Sequence, residues 1–190
     1  MDKITIKQTK ELDYKTFEAF RALRTNLENV NKEGKAITFT SVMGKEGKSC
    51  VYVNANLREA VSSDIYEVTG VRKTLLDYLS GKVQVEDIIC ETSVEKLYLV
   101  ESGAPSKNAS ELLSGDAYQK LIHTLREKYD CVIIDTPAVG EVADALVAAR
   151  ITDGVVLVME REMVPYEQAQ KAKTQMELNG CKILGVVLNK

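Results

Sequence analysis

Three short apolar runs constrain this chain more than anything else in it: Cys131–Asp135 (CVIID), Gly154–Met159 (GVVLVM) and Ile183–Leu188 (ILGVVL). Each is strand-length and rich in β-branched residues, with little polar alternation. A strand that is apolar on both sides needs cover on both faces, the situation of a parallel sheet between helices. Helix-like segments separate the runs. Ala143–Arg150 is made of small residues that pack closely on a sheet, and Pro165–Leu178 opens near a proline and closes at Gly180. Strands alternating with helices predict an α/β fold, mostly parallel, with helices on both faces.

The rest of the chain fits one domain, residues 1–190, with a sizeable core. Residues 1–12 are polar and read as an N-terminal arm. Residues 13–30 read as a helix, with Asp13 as its cap and Phe17, Phe20, Leu23 and Leu27 on one face. Glu18, Arg21 and Arg24 share a neighbouring face, which by spacing alone is a solvated one with an internal ion pair. Further on, the pattern predicts a short helix at Thr74–Leu79 closed by Gly81, an apolar turn at Val85–Cys90 and a strand at Leu97–Val100. A long helix follows at Glu111–Lys128, with a possible break at Gly115-Asp116.

A net charge of −3 supplies no electrostatic footprint for nucleic acid. No apolar run reaches bilayer-spanning length, and MDKITIKQTKELD does not read as a signal peptide. A membrane connection is therefore expected only through a partner. The four cysteines, Cys50, Cys90, Cys131 and Cys181, are far apart and the single His123 falls on a polar helix. That pattern predicts reduced thiols in a cytoplasmic protein and no zinc site.

Ile37–Ala60 (ITFTSVMGKEGKSCVYVNANLREA) reads as strand, glycine turn and helix, with Gly47-Lys48-Ser49 opening a helix that runs to about Val61. A glycine turn at a helix N-terminus gathers backbone N–H groups and the positive dipole end around an anion. In that setting Lys48 would reach terminal phosphates and the Ser49 hydroxyl would hold Mg²⁺. Val42 stands where the strict phosphate-loop pattern has its first glycine. Asp135 ends an apolar strand before Thr136-Pro137, the position of a Walker B acid that holds Mg²⁺ directly or through water. Ligands of open α/β sheets bind beyond the carboxyl ends of the strands, so the two elements are expected to face one site. No second buried strand is legible between Ser62 and Arg72, although a parallel sheet calls for one after the first helix.

Several stretches resemble one family. Thr40–Ser49 (TSVMGKEGKS) resembles the phosphate loop of the bacterial tyrosine kinases of capsule and exopolysaccharide export. Glu18–Leu27 resembles that family's E-x-x-R-x-x-R helix, and Gly103–Leu113 resembles a further conserved stretch of it. Tyr129–Val139 and Leu184–Asn189 resemble its Walker B segment and its closing strand. The resemblance implies a phosphate-loop NTPase fold of the MinD and ParA type and an ATP-dependent protein-tyrosine kinase of the autophosphorylating kind.

It also implies residue roles. Lys48 and Asp135 would be catalytic, and Ser49 and Asp135 would hold Mg²⁺. Ser41, Gly44, Lys45, Glu46, Gly47, Lys48, Ser49, Cys50 and Asn189 would line the ATP site, with Asn189 near the adenine. Glu18, Arg21 and Arg24 would join subunits into an oligomer, in the family's manner a ring. The partners implied are the cytoplasmic tail of a membrane-bound modulator and tyrosine-containing protein substrates, with the chain peripheral to the inner face of the cell membrane.

The chain departs from the family in three places. Gly44-Lys45 replaces Pro-Gly in the loop, and the C-terminal tyrosine cluster is absent. The family's strand ending in Asp-x-Asp is expected soon after the phosphate-loop helix. The stretch around Ser63 lacks it, a shortfall of roughly 20 residues at usual element lengths. This keeps two other functions in view: an ATP-binding scaffold or pseudokinase, and a ParA- or MinD-like ATPase.

Overall fold

The computed structural model describes residues 3–6, 22–23, 36–38, 49–59, 66–67, 72–140, 142–160 and 163–189. In chain order the elements are β1 (Lys3–Ile6), β2 (Ala36–Thr38), β3 (Cys50–Asn54), β4 (Tyr66–Glu67), α1 (Leu75–Leu79), α2 (Val85–Ile88), β5 (Ile89–Thr92) and β6 (Leu97–Val100). Then come α3 (Ala109–Ser114), α4 (Asp116–Lys128), β7 (Cys131–Asp135), α5 (Asp144–Ala149), β8 (Gly154–Glu160), α6 (Tyr166–Leu178) and β9 (Ile183–Asn189). The strands form one sheet in the order β4-β1-β5-β6-β3-β7-β2-β8-β9. Among the described residues only β1–β4 and β5–β6 pair antiparallel, so the centre of the sheet is parallel, as the apolar runs predict.

Side-chain alternation assigns the two faces of the central strands. Val51 and Val53 of β3 and Val132 and Ile134 of β7 are fully buried on one face. They join a core completed by Leu121, Ile122 and Leu125 of α4, which recur at helical spacing, and by Leu113 of α3. Burying each such leucine or isoleucine contributes on the order of 1.5–3 kcal/mol. On the opposite face Cys50, Tyr52, Asn54, Ile133 and Asp135 are half-buried. Leu23, whose neighbour Ala22 is also helical, packs there with Ile133, Val156, Leu184 and Val187. Phe17, Phe20 and Leu27, the other residues of the face expected in residues 13–30, lie outside the described residues.

Several boundaries follow the local chemistry. Thr74 caps α1: its side chain accepts from the Asp77 N–H while the Asp77 carboxylate accepts from the Thr74 N–H. Gly115 does break the long helix, separating α3 from α4. Val85–Cys90, expected as a turn, instead forms α2 and the start of β5. Gly154 opens β8 against Leu184 so closely that an added Cβ would lie 2.4 Å from the Leu184 Cγ.

One expectation is overturned. Cys50–Asn54 is not the first turns of a helix but a central strand, hydrogen-bonded on one side to β6 and on the other to β7. The strand expected after the phosphate-loop element is therefore present; it ends at Asn54, and Ala55-Asn56 follow it. The physical reason lies in CVYVN itself: its period-two burial, with both valines fully buried, suits a strand between two others. What is short is the connection before it. Residues 39–49 alone join two parallel strands on opposite sides of β7, close to the minimum for a crossover.

Candidate nucleotide site at the carboxyl edge of the sheet

Asp135 ends β7 at the carboxyl edge of the parallel strands. On one side Asn54 lies opposite it in register; on the other, β2 ends with Thr38 opposite Ile134. β2 thus finishes beside Asp135. The Asp135 backbone carbonyl accepts from Ala55 N–H at 2.8 Å, which turns the chain across the end of β7. Its carboxylate accepts a 2.6 Å hydrogen bond from the Tyr52 hydroxyl. Burial pushes the Asp135 carboxyl above the usual range, and the bonds from Tyr52 and from the Thr136 backbone pull it partly back.

The loop after β3 is fixed by its own asparagines. The Asn54 side-chain oxygen accepts from Asn56 N–H at 3.0 Å, and that of Asn56 accepts from Arg58 N–H at 3.1 Å. These are two successive Asx turns. Leu57, fully buried, anchors the loop, and its carbonyl accepts from Ser106 N–H at 2.7 Å. Arg58 then reaches Asp144 at the start of α5 with two bonds, Nε–Oδ2 at 2.7 Å and Nη2–Oδ1 at 2.9 Å. The Ser110 hydroxyl also donates to Asp144, and Arg58 Nη2 donates to Ser110 at 3.2 Å. Asp144 has no exposed surface. The Arg58 bonds, and after them the Ser110 bond, hold its carboxyl below the usual range against the opposing effect of burial.

The structure does not bring Ser49 to Asp135. Ser49 precedes β3 at the amino edge, where its backbone N–H and hydroxyl both donate to Asp130 at 2.9 Å. Asp130 and Cys131 N–H both donate to the Ser49 carbonyl at 3.1 Å. Because β3 and β7 run parallel and in register, Ser49 lies about 15 Å or more from the Asp135 level at 3.3 Å per residue. The two cannot share an ion, so the expected Mg²⁺ role of Ser49 is corrected. Cys50 likewise sits opposite Cys131 at that edge, not at the phosphate edge. Its hydrogen bond to Cys131 and its burial push the thiol up.

Asn189 ends β9 at the carboxyl edge with its backbone opposite Glu160; β8 separates it from β2. Ser41, Gly44, Lys45, Glu46, Gly47 and Lys48 lie outside the described residues, as do Glu18, Arg21 and Arg24. His123 is exposed beside Glu127 on α4, and the four cysteines are free thiols. Tyr52, Asn54, Asn56, Arg58, Ser110 and Asp144 are the site neighbours that the sequence motifs miss.

The donor set fits a divalent ion brought in with a nucleotide. Mg²⁺ typically keeps several waters and binds through one or two carboxylates plus phosphate oxygens. Asp135 offers one such carboxylate at the edge where the phosphate-loop strand ends. Among the described residues no group of three or more His, Cys, Asp or Glu could cage a metal by itself. Nor is any described helix long and apolar enough to cross a membrane.

Comparison with known proteins places this geometry. An AAA domain family matches residues 25–177. The tyrosine-protein kinase CpsD of Streptococcus agalactiae is 39% identical over 192 residues, covering 93% of this chain and 84% of that protein. The kinase domain of the Escherichia coli tyrosine kinase ETK superposes with a TM-score of 0.82 at 26% identity, over 92% of this chain and 75% of that one. The septum site-determining protein MinD of Pyrococcus horikoshii, solved in complex with Mg-ADP, superposes with a TM-score of 0.61 at 26% identity, over 82% and 70% of the two chains. The sheet order, the acid at its carboxyl edge and these likenesses agree: the chain belongs to the family of bacterial tyrosine-protein kinases, on the α/β phosphate-loop fold it shares with MinD.

Proposed function

We propose that the chain is an ATP-dependent protein-tyrosine kinase that regulates capsular or exopolysaccharide synthesis and export. The observation that carries the reading is Asp135, the half-buried acid that ends β7 between the ends of β2 and β3. In this reading Mg–ATP lies across the carboxyl edge, with Asp135 toward the ion. Bound Mg²⁺ would neutralise charge on the transferring phosphoryl group. The protein's own part is alignment: Ala55 N–H fixes the Asp135 main chain, and the Arg58–Asp144–Ser110 cluster fixes the loop that borders it. A membrane-bound modulator, subunit contacts through Glu18, Arg21 and Arg24, and a position at the inner membrane face complete the proposal.

The purified chain is incubated with Mg–ATP and a Glu-Tyr copolymer, with and without the cytoplasmic tail of its modulator. Phosphotyrosine that is lost in Asp135→Asn supports the reading; no phosphotyrosine under any condition rejects it. One observation favours a second reading, a nucleotide-binding scaffold without phosphotransfer: the end of β3 and the loop after it carry amides, Asn54 and Asn56, whose oxygens are occupied in Asx turns. Mg–ATP binding with no transfer to any tyrosine would select that alternative.

A further inference from the structure

We propose that Cys50 and Cys131 form an oxidative modification site, at which a small hydroperoxide joins the two central strands of the sheet by a reversible disulfide. The inference needs neither a nucleotide nor phosphoryl transfer, so it stands apart from the kinase reading. Both strands open with a cysteine, CVYVN in β3 and CVIID in β7. They run parallel and in register, with Cys50 directly opposite Cys131. Alternation places both side chains on the half-buried face, because Val51 and Val132 are fully buried on the other. Neighbouring strands lie about 4.8 Å apart, and a disulfide joins Cα atoms roughly 4.4–6.8 Å apart. Both residues are thiols in the structure, and the two side chains are hydrogen-bonded to each other.

The residues just before the two cysteines hold the pairing in place. The Ser49 N–H and hydroxyl both donate to the Asp130 carboxylate at 2.9 Å, and the Asp130 and Cys131 N–H groups donate to the Ser49 carbonyl at 3.1 Å. On its other side Cys50 N–H donates to the Lys96 carbonyl at 2.9 Å. The remaining cysteines are placed differently. Cys90 is buried opposite Leu99, its Sγ 3.9 Å from the Ile88 carbonyl. Cys181 is buried in a separate cluster, its Sγ 3.8 Å from the Leu146 carbonyl. With hydrogen peroxide as the oxidant, one sulfur attacks an oxygen, the O–O bond breaks, and a sulfenic acid and water result. The second sulfur then attacks the sulfenic sulfur, the S–O bond breaks and a second water leaves as the S–S bond closes. The two thiols are oxidised by two electrons in all, and the peroxide is reduced by two. The link closes a loop of roughly 80 residues, long enough to restrict the unfolded chain strongly. It lies at the end of β7 opposite Asp135, so the carboxyl edge stays open.

The test treats the full chain, freed of reductant, with hydrogen peroxide, then quenches it, alkylates it while unfolded and maps it by non-reducing peptide mass spectrometry. The expected result is a peptide pair joined through Cys50 and Cys131, with two of the four thiols alkylated and all four recovered after dithiothreitol. The oxidised chain should melt several degrees above the reduced one, and Cys131→Ala should show no such rise. Circular dichroism checks that the variant is folded, and the wild-type peptide map decides the matter without it. Repeated in guanidinium chloride, the oxidation should lose its preference for this pair, because register and not sequence brings the two together. Four alkylated thiols after peroxide, a link through Cys90 or Cys181, or a link only between chains overturns the inference. The same preference for Cys50 and Cys131 in the unfolded chain overturns it as well. Each of these results leaves the kinase reading untouched.

Discussion

Gly154→Ala tests whether β8 and β9 are packed as closely as the structure describes. The new methyl would lie 2.4 Å from Leu184 Cγ and 2.6 and 2.7 Å from its two Cδ atoms. No carbon pair sits that close, so Leu184 must leave its rotamer or the strands must part. Leu184 is half-buried against Leu23, Ile133, Val156 and Val187, so it has some room toward solvent. Overpacking of this kind costs about 1–3 kcal/mol. In a chain of this size that is a fall in Tm of roughly 2–12 °C by thermal unfolding. Leu184→Ala alone loses a half-buried side chain, roughly 1–2 kcal/mol, below the range for fully buried leucines. The double variant is the discriminating measurement. With Leu184 gone the methyl has space, so the two costs should fail to add by at least about 1 kcal/mol. Additivity within about 0.5 kcal/mol, or a Gly154→Ala variant as stable as the wild type, would refute the reasoning.

Two further predictions concern pH. Asp144 has its carboxyl held down by Arg58 and Ser110. Its contribution to stability is thus complete above the ordinary carboxylate range and is lost as pH falls through the depressed value. Thermal unfolding from pH 7 to pH 3 should show a steep acid loss in the wild type, and a lower but flatter profile in Asp144→Asn. Asp135 works the other way, because burial raises its carboxyl. The folded state favours its protonated form, so stability is lost as pH rises from the ordinary carboxylate range through the raised value. Asp135→Asn should therefore gain Tm relative to wild type as pH goes from 3 to 7, while Mg–ADP binding measured by calorimetry disappears. A Tm difference between Asp135→Asn and the wild type that does not move in the variant's favour from pH 3 to pH 7 would contradict this.

The parts of the fold legible in the sequence are those whose signal is local. β7, β8 and β9 are apolar runs of strand length, α6 is bounded by Pro165 and Gly180, and Gly115 marks its own helix break. Asp135 stands out as a site candidate because it closes such a run in a chain that also carries Gly47-Lys48-Ser49. β3 was obscured by its neighbours. Gly47-Lys48-Ser49 looks like the start of a helix, and that reading absorbed Cys50–Asn54 although CVYVN alternates as a strand does. The strand expected near Ser63 thus lies some ten residues earlier in the chain, at Cys50–Asn54. The site neighbours need register and packing, which no single sequence window carries. Tyr52 meets Asp135 because β3 and β7 lie in register, and Arg58 meets Asp144 across 86 positions.

The strand order has a consequence for how the chain is made. Among the described strands β2 pairs with β7 and β8, with Ala36 opposite Val132 and Ile37 opposite Gly154. Roughly a hundred residues leave the ribosome between β2 and its first partner, which at ordinary translation speeds takes on the order of 5–20 s. β3 waits almost as long for β7, although β6 reaches it sooner. During that interval the centre of the future sheet has unpaired edges and nothing native to close them, so newborn chains should depend on holding chaperones more than an all-helical chain of the same length.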